Sequence, residues 1–425
     1  MNYIEKEKVL NARKTDVVVI GSGPAGIGAA IAAARGGAKV ILIEQGGDLG
    51  GISTSGLMSH WTGKAENPIL TEILERSAQL NEGEHRGKIT HLIDPEKLKT
   101  LYLEMIEEAG AELLLYTFFC DVIMEGNKVK GIIIENKSGR SAIFADCIID
   151  ASGDGDAAYK AGAEFILGRE PDHKMQPCTI MFKIAGVDYE RAVFPGSFET
   201  TVETQKGELQ TLGKKIIGAP AGHVLLYKTT LPGIVTCNMT NCIGIDGTKT
   251  EDLTKATIVC RKQMQRIVDF LREYAPGYEN CFIISSASLI GIRETRHFKG
   301  IYTLTEQDIL DARVFEDYVV KDAYFNFDIH NIDGAGLDKN GVQHKFSQPK
   351  GYTIPYGCLV PEKIDGLLLS GRNISGTHIA HSNFRVMPIC VATGAAAGAA
   401  AAISVKKGCK AREVKAAEIR ELLNI

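Results

Sequence analysis

The sequence is poor in aromatic residues and has no excess of charge of either sign. Phe, Tyr and Trp make up 7% of the 425 residues, and Trp61 is the only tryptophan. The net charge of −4 comes from 48 basic and 52 acidic residues. Little positive charge is left to neutralise phosphates, so we expect no nucleic-acid partner. No apolar run reaches the roughly 18 residues of a membrane span, so we expect no membrane partner.

Short metal and thiol motifs are also absent. The 10 cysteines form no CxxC, and the histidines form no HxH or HExxH, so we expect no metal site. Residues 1–15 are charged and contain no apolar signal core, which predicts a reducing, cytoplasmic location with free thiols. Cys237 and Cys242 are the closest pair; a redox pair stays open there beside the reading of inert, buried thiols. The sequence contains no GxSxG nucleophile elbow, so a hydrolase is not favoured.

The strongest feature of the sequence is a glycine motif between a strand and a helix. Residues 16–20 (DVVVI) predict a buried parallel strand, and GSGPAG follows at once. In this GxGxxG pattern Gly21 allows a tight turn, Gly23 lets a pyrophosphate approach, and Gly26 lets helix and strand pack closely. Glu44 ends the next strand and can accept hydrogen bonds from a ribose. The spacing predicts a dinucleotide site, and the carboxylate disfavours NADP.

The sequence patterns along the rest of the chain predict two domains. A glycine-rich loop and two helices are followed by a predicted three-stranded β-meander and a strand that ends at Asp150. Glycine-rich strand–turn patterns end near residue 171 and return near Tyr352. We therefore predict a first domain formed by residues 1–170 and 346–425, with residues 171–345 inserted as a substrate domain. Further predicted elements are helices at 67–81, 94–109 and 250–274, and strands at 181–184, 223–237 and 282–290.

Four segments carry a resemblance to a known family. Residues 50–57 (GGISTSGL), 291–296 (GIRETR), 352–356 (YTIPY) and 370–398 (SGRNISGTHIAHSNFRVMPICVATGAAAG) resemble FAD-dependent oxidoreductases of the FAD_oxidored family, which is glutathione-reductase-like in layout. The resemblance implies an α/β fold: a Rossmann-type FAD-binding domain, made of a parallel sheet plus β-meander, with an inserted α+β substrate domain. It also implies FAD as the cofactor.

The resemblance also implies which residues contact FAD. The backbone near Cys120 should meet the adenine end, and the helix that begins near Met387 should direct its positive end at the flavin. Asn373 stands where the family has an aspartate. The expected cofactor-binding residues are Gly21, Gly23, Pro24, Ala25, Gly26, Glu44, Gln45, Gly50, Gly51, Ser53, Cys120, Asp121, Ser152, Gly153, Asp154, Gly371, Arg372, Asn373 and Met387.

Candidate catalytic residues cluster in two places. Arg293 and Arg296 follow an apolar run, where they bind a substrate or form a salt-bridge cluster between domains. His378, His381 and Arg385 precede the expected flavin-facing helix, where a histidine can take a proton as hydride leaves carbon. His60 and Trp61 either form a wall of the flavin site or pack at the domain interface. Tyr356 is a further candidate for the same cavity, on weaker evidence.

The sequence contains no second nucleotide-binding unit between residues 171 and 350. We therefore expect a small polar substrate to exchange a hydride directly with flavin N5, as in a dehydrogenase or an enoate-type reductase. An electron-transfer subunit that works with a partner protein, and a tRNA-modifying flavoprotein, are the alternatives. An electron-acceptor protein, a quinone or a second copy of the chain stays open as a further partner.

Overall fold

Strands and helices alternate along the N-terminal part of the chain and again after residue 352. This computed structural model describes residues 9–81, 85–170, 172–336, 348 and 350–425. The strands are β1 (Asn11–Lys14), β2 (Val17–Ile20), β3 (Val40–Ile43), β4 (Lys64–Glu66), β5 (Glu112–Leu114), β6 (Phe118–Glu125), β7 (Lys128–Asn136), β8 (Gly139–Phe144), β9 (Cys147–Asp150), β10 (Phe165–Leu167), β11 (Phe182–Ala185), β12 (Glu203–Thr204), β13 (Gly207–Glu208), β14 (Leu226–Lys228), β15 (Val235–Cys237), β16 (Phe282–Ser286), β17 (Arg296–Phe298), β18 (Tyr318–Tyr324), β19 (Tyr352–Pro355) and β20 (Leu367–Leu369). The helices are α1 (Pro24–Arg35), α2 (Pro68–Leu80), α3 (Pro95–Ala109), α4 (Asp156–Lys160), α5 (Leu209–Ile216), α6 (Thr250–Tyr274), α7 (Glu306–Leu310), α8 (His378–Phe384), α9 (Met387–Lys407) and α10 (Ala416–Leu423).

The central sheet has five parallel strands in the order β20-β9-β2-β3-β5. Every residue of β2 and β3 is buried, which explains why both sequences are continuous apolar runs without alternation. Strands from both ends of the chain pair here, since β20 lies beside β9. The α/β class and the Rossmann-type sheet are therefore confirmed.

Two helices made of small residues pack face to face on this sheet. A Cβ atom at Gly28 of α1 would lie 2.3 Å from the carbonyl oxygen of Val391 in α9, so only glycine permits this approach. Length and composition alone would let α9 cross a membrane, but 89% of its most apolar window is buried inside the fold, and a core helix passes the same test.

The predicted β-meander is present as β6, β7 and β8, which pair antiparallel in sequence order. A fourth strand, β1, runs parallel to β8. Residues 11–14 lie in the charged N-terminal stretch, where the sequence predicts no strand. All four side chains of β1 are exposed, so its sequence (NARK) carries neither apolar alternation nor a buried run.

A second hydrophobic core lies in the inserted region. Its buried residues are Leu57 and residues between Cys178 and Ala287, which we call the second lobe. Strands β14, β15, β11 and β16 form an antiparallel sheet there, beside α6. The buried residues between 298 and 327 pack with the first core instead. The boundary at residue 345 stays a prediction.

Candidate functional site

One cavity of about 950 Å³ opens at the carboxyl ends of the parallel strands and extends to the second lobe. Its first end is lined by the turns after β2, β3, β9 and β20. Its other end, which we call the second-lobe end, is lined by residues of the second lobe, by residues 288–293, by the chain that follows β18 and by Arg385. Open α/β sheets bind ligands at the carboxyl ends of their strands.

The three motif glycines have different surroundings. A Cβ atom at Gly26 would lie 1.9 Å from the carbonyl oxygen of Gly21, and one at Gly21, where φ is +89°, would lie 2.7 Å from that of Ala151. These two glycines close the packing of the turn. A Cβ atom at Gly23 would meet nothing within 4 Å, so the backbone at the start of α1 has an open face on the cavity.

Glu44 connects the first two turns. Its Oε2 accepts hydrogen bonds from the backbone N–H and the hydroxyl of Ser22 at 3.0 and 2.6 Å, and its Oε1 accepts one from the N–H of Gly46 at 2.8 Å. The carboxylate lines the cavity as well. It therefore fixes the conformation of the turn, and its contact with a ribose stays a prediction.

The turn after β9 is organised by two aspartates. Asp150 is fully buried and accepts hydrogen bonds from Ser152 and from the N–H of Ala158; burial raises the pKa of Asp150 to about 6. Asp154 accepts one from Arg372 at 3.0 Å. The Nη1 of Arg372 is buried without a partner among the described residues, so a donor is left over beside the cavity.

Asn373 has a structural explanation for its difference from the family's aspartate. Its side-chain N–H donates to the backbone oxygen of Asp150 at 3.0 Å, and its Oδ1 accepts from the N–H of Ser370 at 2.9 Å. A carboxylate cannot make the first bond because it has no donor when ionised. Asn373 joins β9 to β20 and does not line the cavity.

The three arginines predicted as catalytic have different partners. Arg296 is an ion-pair residue: Nη1 lies 3.0 Å from Oδ1 of Asp156, and its guanidinium lies over the ring of Tyr159. Arg385 pairs with Asp328 at 3.0 Å. Arg293 contacts the carbonyl of Pro177 and the hydroxyl of Thr179. All three arginines line the cavity.

His378 and His381 are not brought to the cavity wall. His378 and His297 both hydrogen-bond Oε1 of Glu294, which is almost fully buried. Burial alone would raise the pKa of Glu294, but these hydrogen bonds outweigh it and lower the pKa. His381 packs edge-on against His297, and burial holds its pKa well below the ordinary value.

The ligand atoms of Glu294, His297 and His378 lie within 4.8 Å of one another, close enough to share a metal ion. They are already joined by hydrogen bonds through one carboxylate oxygen. The expectation of no metal stays a prediction.

Beside the predicted Arg293 and Arg385, the second-lobe end is lined by groups that the sequence does not predict. His330 lies with its Nε2 3.3 Å from Oδ2 of Asp328, and Phe198 packs edge-on against its ring. Burial, with the charge of Arg293, lowers the pKa of His330 to about 4. Burial raises the pKa of Tyr227 to about 12. These residues come from distant segments, and no local spacing singles them out.

Most of the predicted site residues line the cavity. Those that line the cavity are Gly21, Gly23, Pro24, Ala25, Glu44, Gln45, Gly51, Cys120, Ser152, Gly153, Asp154, Arg293, Arg296, Gly371, Arg372, Arg385 and Met387, with His60. Those that do not are Gly26, Gly50, Ser53, Asp121, Asn373, His378 and His381, with Trp61 and Tyr356. Their roles toward a ligand stay predictions.

Comparison with known proteins identifies relatives of parts of the chain. A thiamine thiazole synthase of Aeropyrum pernix is 36% identical over 124 residues, which are 28% of this chain and 44% of that protein. Digeranylgeranylglycerophospholipid reductase 1 of Methanococcoides burtonii is 24% identical over 232 residues, or 49% of this chain and 56% of that one. The chain spans about half the length of these curated relatives.

A solved structure has a similar fold. The geranylgeranyl bacteriochlorophyll reductase-like protein of Thermoplasma acidophilum superposes with a TM-score of 0.52 at 15% identity. The match covers 97% of this chain and 83% of that one. At this identity the likeness concerns the fold alone.

The family comparison covers nearly the whole chain. The sequence model of the family described as FAD dependent oxidoreductase matches residues 16–423. The cavity fits that cofactor, because it offers an open backbone face at Gly23, the start of α1, and an unpartnered guanidinium N–H on Arg372. The chain belongs to the FAD-dependent oxidoreductase family, and its cofactor is FAD.

Proposed function

We propose that this protein transfers a hydride between FAD and a small polar organic substrate that binds at the second-lobe end of the cavity. The observation that carries the proposal is the continuity of this one cavity. It runs from the dinucleotide turn at Gly23 to a wall with Arg293, Asp328, His330 and Arg385. A concave site with a few convergent polar groups is typical of small-molecule binding.

The chemistry divides between the cofactor and the chain. When bound, FAD supplies a two-electron acceptor or donor at N5. The accompanying proton needs its own carrier. In the oxidative direction a substrate C–H bond gives up a hydride, its O–H gives up a proton, and C=O forms. In the reductive direction one carbon of C=C takes the hydride and its neighbour takes the proton.

His330 is the group best placed to carry that proton. It lines the cavity, and its lowered pKa keeps the imidazole neutral near pH 7, the form that takes the substrate O–H proton in the oxidative direction. Asp328, 3.3 Å from Nε2, orients the ring and stabilises the protonated form. His378 and His381 lie outside the cavity lining, which favours His330 over both.

The proposal is tested by anaerobic titration of the FAD-loaded protein with hydroxy compounds, activated alkenes and NADH, followed by absorption. We expect hydroxy compounds to bleach the flavin bands and air to restore them. Alternatively, for the reductive direction, activated alkenes should reoxidise protein reduced with dithionite. A flavin that responds only to NADH or to artificial reductants would contradict hydride exchange with a small polar substrate and favour a reductase or the electron-transfer role.

A further inference from the structure

Four arginines line the cavity, and three of them have carboxylate partners. Arg372 pairs with Asp154 at 3.0 Å, Arg296 with Asp156 at 3.0 Å, and Arg385 with Asp328 at 3.0 Å. These charges are balanced within the protein. Such pairs hold the walls in place and leave little charge for a ligand.

Arg293 differs, because its described partners are neutral. Nη1 donates to the backbone oxygen of Pro177, and Nη1 and Nη2 both lie within hydrogen-bond distance of Thr179 Oγ1, at 3.3 and 3.4 Å. Among the described residues, no carboxylate lies within ion-pair distance of Arg293. Burial and the neighbouring Arg385 lower the pKa of Arg293 to about 10, so it stays charged at neutral pH.

The charge count at the second-lobe end is therefore positive. Arg293 and Arg385 contribute two positive charges, and Asp328 contributes one negative charge. His330 is neutral, since its pKa is lowered to about 4. Glu199 also lines the cavity, but its side chain is exposed to solvent at the rim, where its charge is screened. Asp328 attracts Arg293 as well and opposes the fall in its pKa, but the ion pair that Asp328 forms is with Arg385. Among the described residues Arg293 has no ion-pair partner of its own, and a partly buried guanidinium in that position favours a ligand that carries a negative charge.

The hydrogen-bonding capacity left on Arg293 has a defined shape. A guanidinium carries five N–H donors. The contacts with Pro177 and Thr179 occupy both donors of Nη1 and one of Nη2. Among the described residues, the N–H of Nε and the second N–H of Nη2 have no hydrogen-bond partner, and in a planar guanidinium these two bonds point in parallel. That pair matches the two oxygens of a carboxylate.

We propose, resting on the proposed function, that the substrate is a small organic carboxylate whose two oxygens are held by Nε and Nη2 of Arg293. Its apolar body lies against the aromatic side chains that line the same end, Phe198 and Tyr227. The reacting carbon then lies within the reach of His330, on the same wall.

The test uses matched pairs of compounds on the FAD-loaded protein. Lactate and lactamide, fumarate and fumaramide, succinate and succinamide, and benzoate and benzamide are titrated by calorimetry, with the flavin spectrum recorded alongside. We expect at least one carboxylate to bind tenfold or more tightly than its amide. If no carboxylate binds better than its amide to the unmodified protein, the proposal is overturned.

Variants then assign the preference to one side chain. Arg293→Gln should remove the preference, and Arg293→Lys should retain part of it because it keeps the charge but not the planar pair of donors. Arg191→Gln is the matched control, since Arg191 is an exposed arginine that pairs with Glu279 and does not line the cavity. FAD content and far-UV circular dichroism verify folding. An unchanged preference in a folded Arg293→Gln protein also overturns the proposal.

The two proposals fail in different ways. Carboxylate preference without bleaching or reoxidation of the flavin by any compound would leave the anion site in place and contradict hydride transfer. Bleaching by neutral alcohols with no preference for carboxylates would do the reverse. The calorimetric comparison is made with compounds that leave the flavin spectrum unchanged, so the heats that it measures are heats of binding and not of turnover.

Discussion

Gly394 of α9 lies so close to Ala25 of α1 that a Cβ atom at position 394 would stand 1.9 Å from the backbone oxygen of Ala25. One turn later, a Cβ atom at Gly398 would stand 2.2 Å from the oxygen of Ala29. Both helices begin at the cavity, where Pro24 and Met387 are among the lining residues. This contact therefore sets the distance between the two helix N-termini at the cavity.

Gly394→Ala should destabilise the protein by about 2–3 kcal/mol, because the added methyl group must push two packed helices apart. Gly408→Ala is the matched change at the end of α9, where a Cβ atom would meet nothing within 4 Å. There only the positive φ of +63° opposes alanine, so about 1 kcal/mol is expected. Urea unfolding measures both, and equal losses would contradict the helix-contact argument.

The motif glycines allow a cleaner separation of folding from FAD binding. Gly23→Ala adds a methyl group on the open face, so the unfolding free energy of the FAD-free protein should change by less than about 0.5 kcal/mol. FAD affinity should fall at least tenfold, because the methyl group occupies the approach of the pyrophosphate.

Gly26→Ala should do the opposite, since its Cβ would collide with the oxygen of Gly21. We expect loss of stability whether or not FAD is present. Fluorescence titration with FAD and urea unfolding distinguish the two variants. Stability losses of the same size in both would show that Gly23 also serves packing.

The parts of the fold that depend on local patterns were predictable from the sequence. Helix α6 has the predicted bounds, Thr250–Tyr274, because its long amphipathic pattern has no competing signal. Strand β16 was predicted over residues 282–290 but ends at Ser286. After it, Ser288 donates its N–H to the oxygen of Ser55 instead of continuing the ladder. That choice depends on a distant loop, which an apolar run does not reveal.

The two ends of the cavity differ in the same way. The first end, at the turns after β2, β3, β9 and β20, is built from short motifs in which the local turn and packing explain each glycine. The sequence therefore identifies this end. The second-lobe end joins Tyr227, Arg293, Asp328, His330 and Arg385 from separate segments. The position of His378 and His381 before α9 predicts them as catalytic residues. Buried Glu294 accounts for His378, which it takes as a hydrogen-bond partner away from the cavity lining.

Acid should destabilise the protein through its buried histidines. Burial lowers the pKa of His223 to about 3 and that of His330 to about 4, whereas the unfolded chain titrates near 6.5. Between these values the unfolded state binds more protons, so the unfolding free energy falls as pH falls below about 6.5. The loss is at most about 1.4 kcal/mol per pH unit for each histidine.

The charged groups that act on His330 are Arg293, Arg385, Asp328 and His223. His330→Gln removes one titrating site and leaves the others. Urea unfolding at pH 7.0, 6.0 and 5.5 should therefore show a shallower pH dependence in the variant, smaller by about one proton at the lower end of the range. An identical slope in both proteins would mean that His330 titrates normally in the folded state.

The last prediction concerns the rate of flavin reduction. With a compound that bleaches the flavin, His330→Gln should lower the first-order rate constant by about 10²–10⁴, the usual contribution of a general base. Carboxylate affinity should change little, because Arg293 is intact. His91→Gln, at an exposed histidine outside the cavity lining, should leave the rate unchanged. Asp328→Asn is less clean, since it also removes the partner of Arg385. A variant at position 330 that reduces flavin at the unmodified rate would exclude this histidine as the proton carrier, while leaving the carboxylate site at Arg293 untouched.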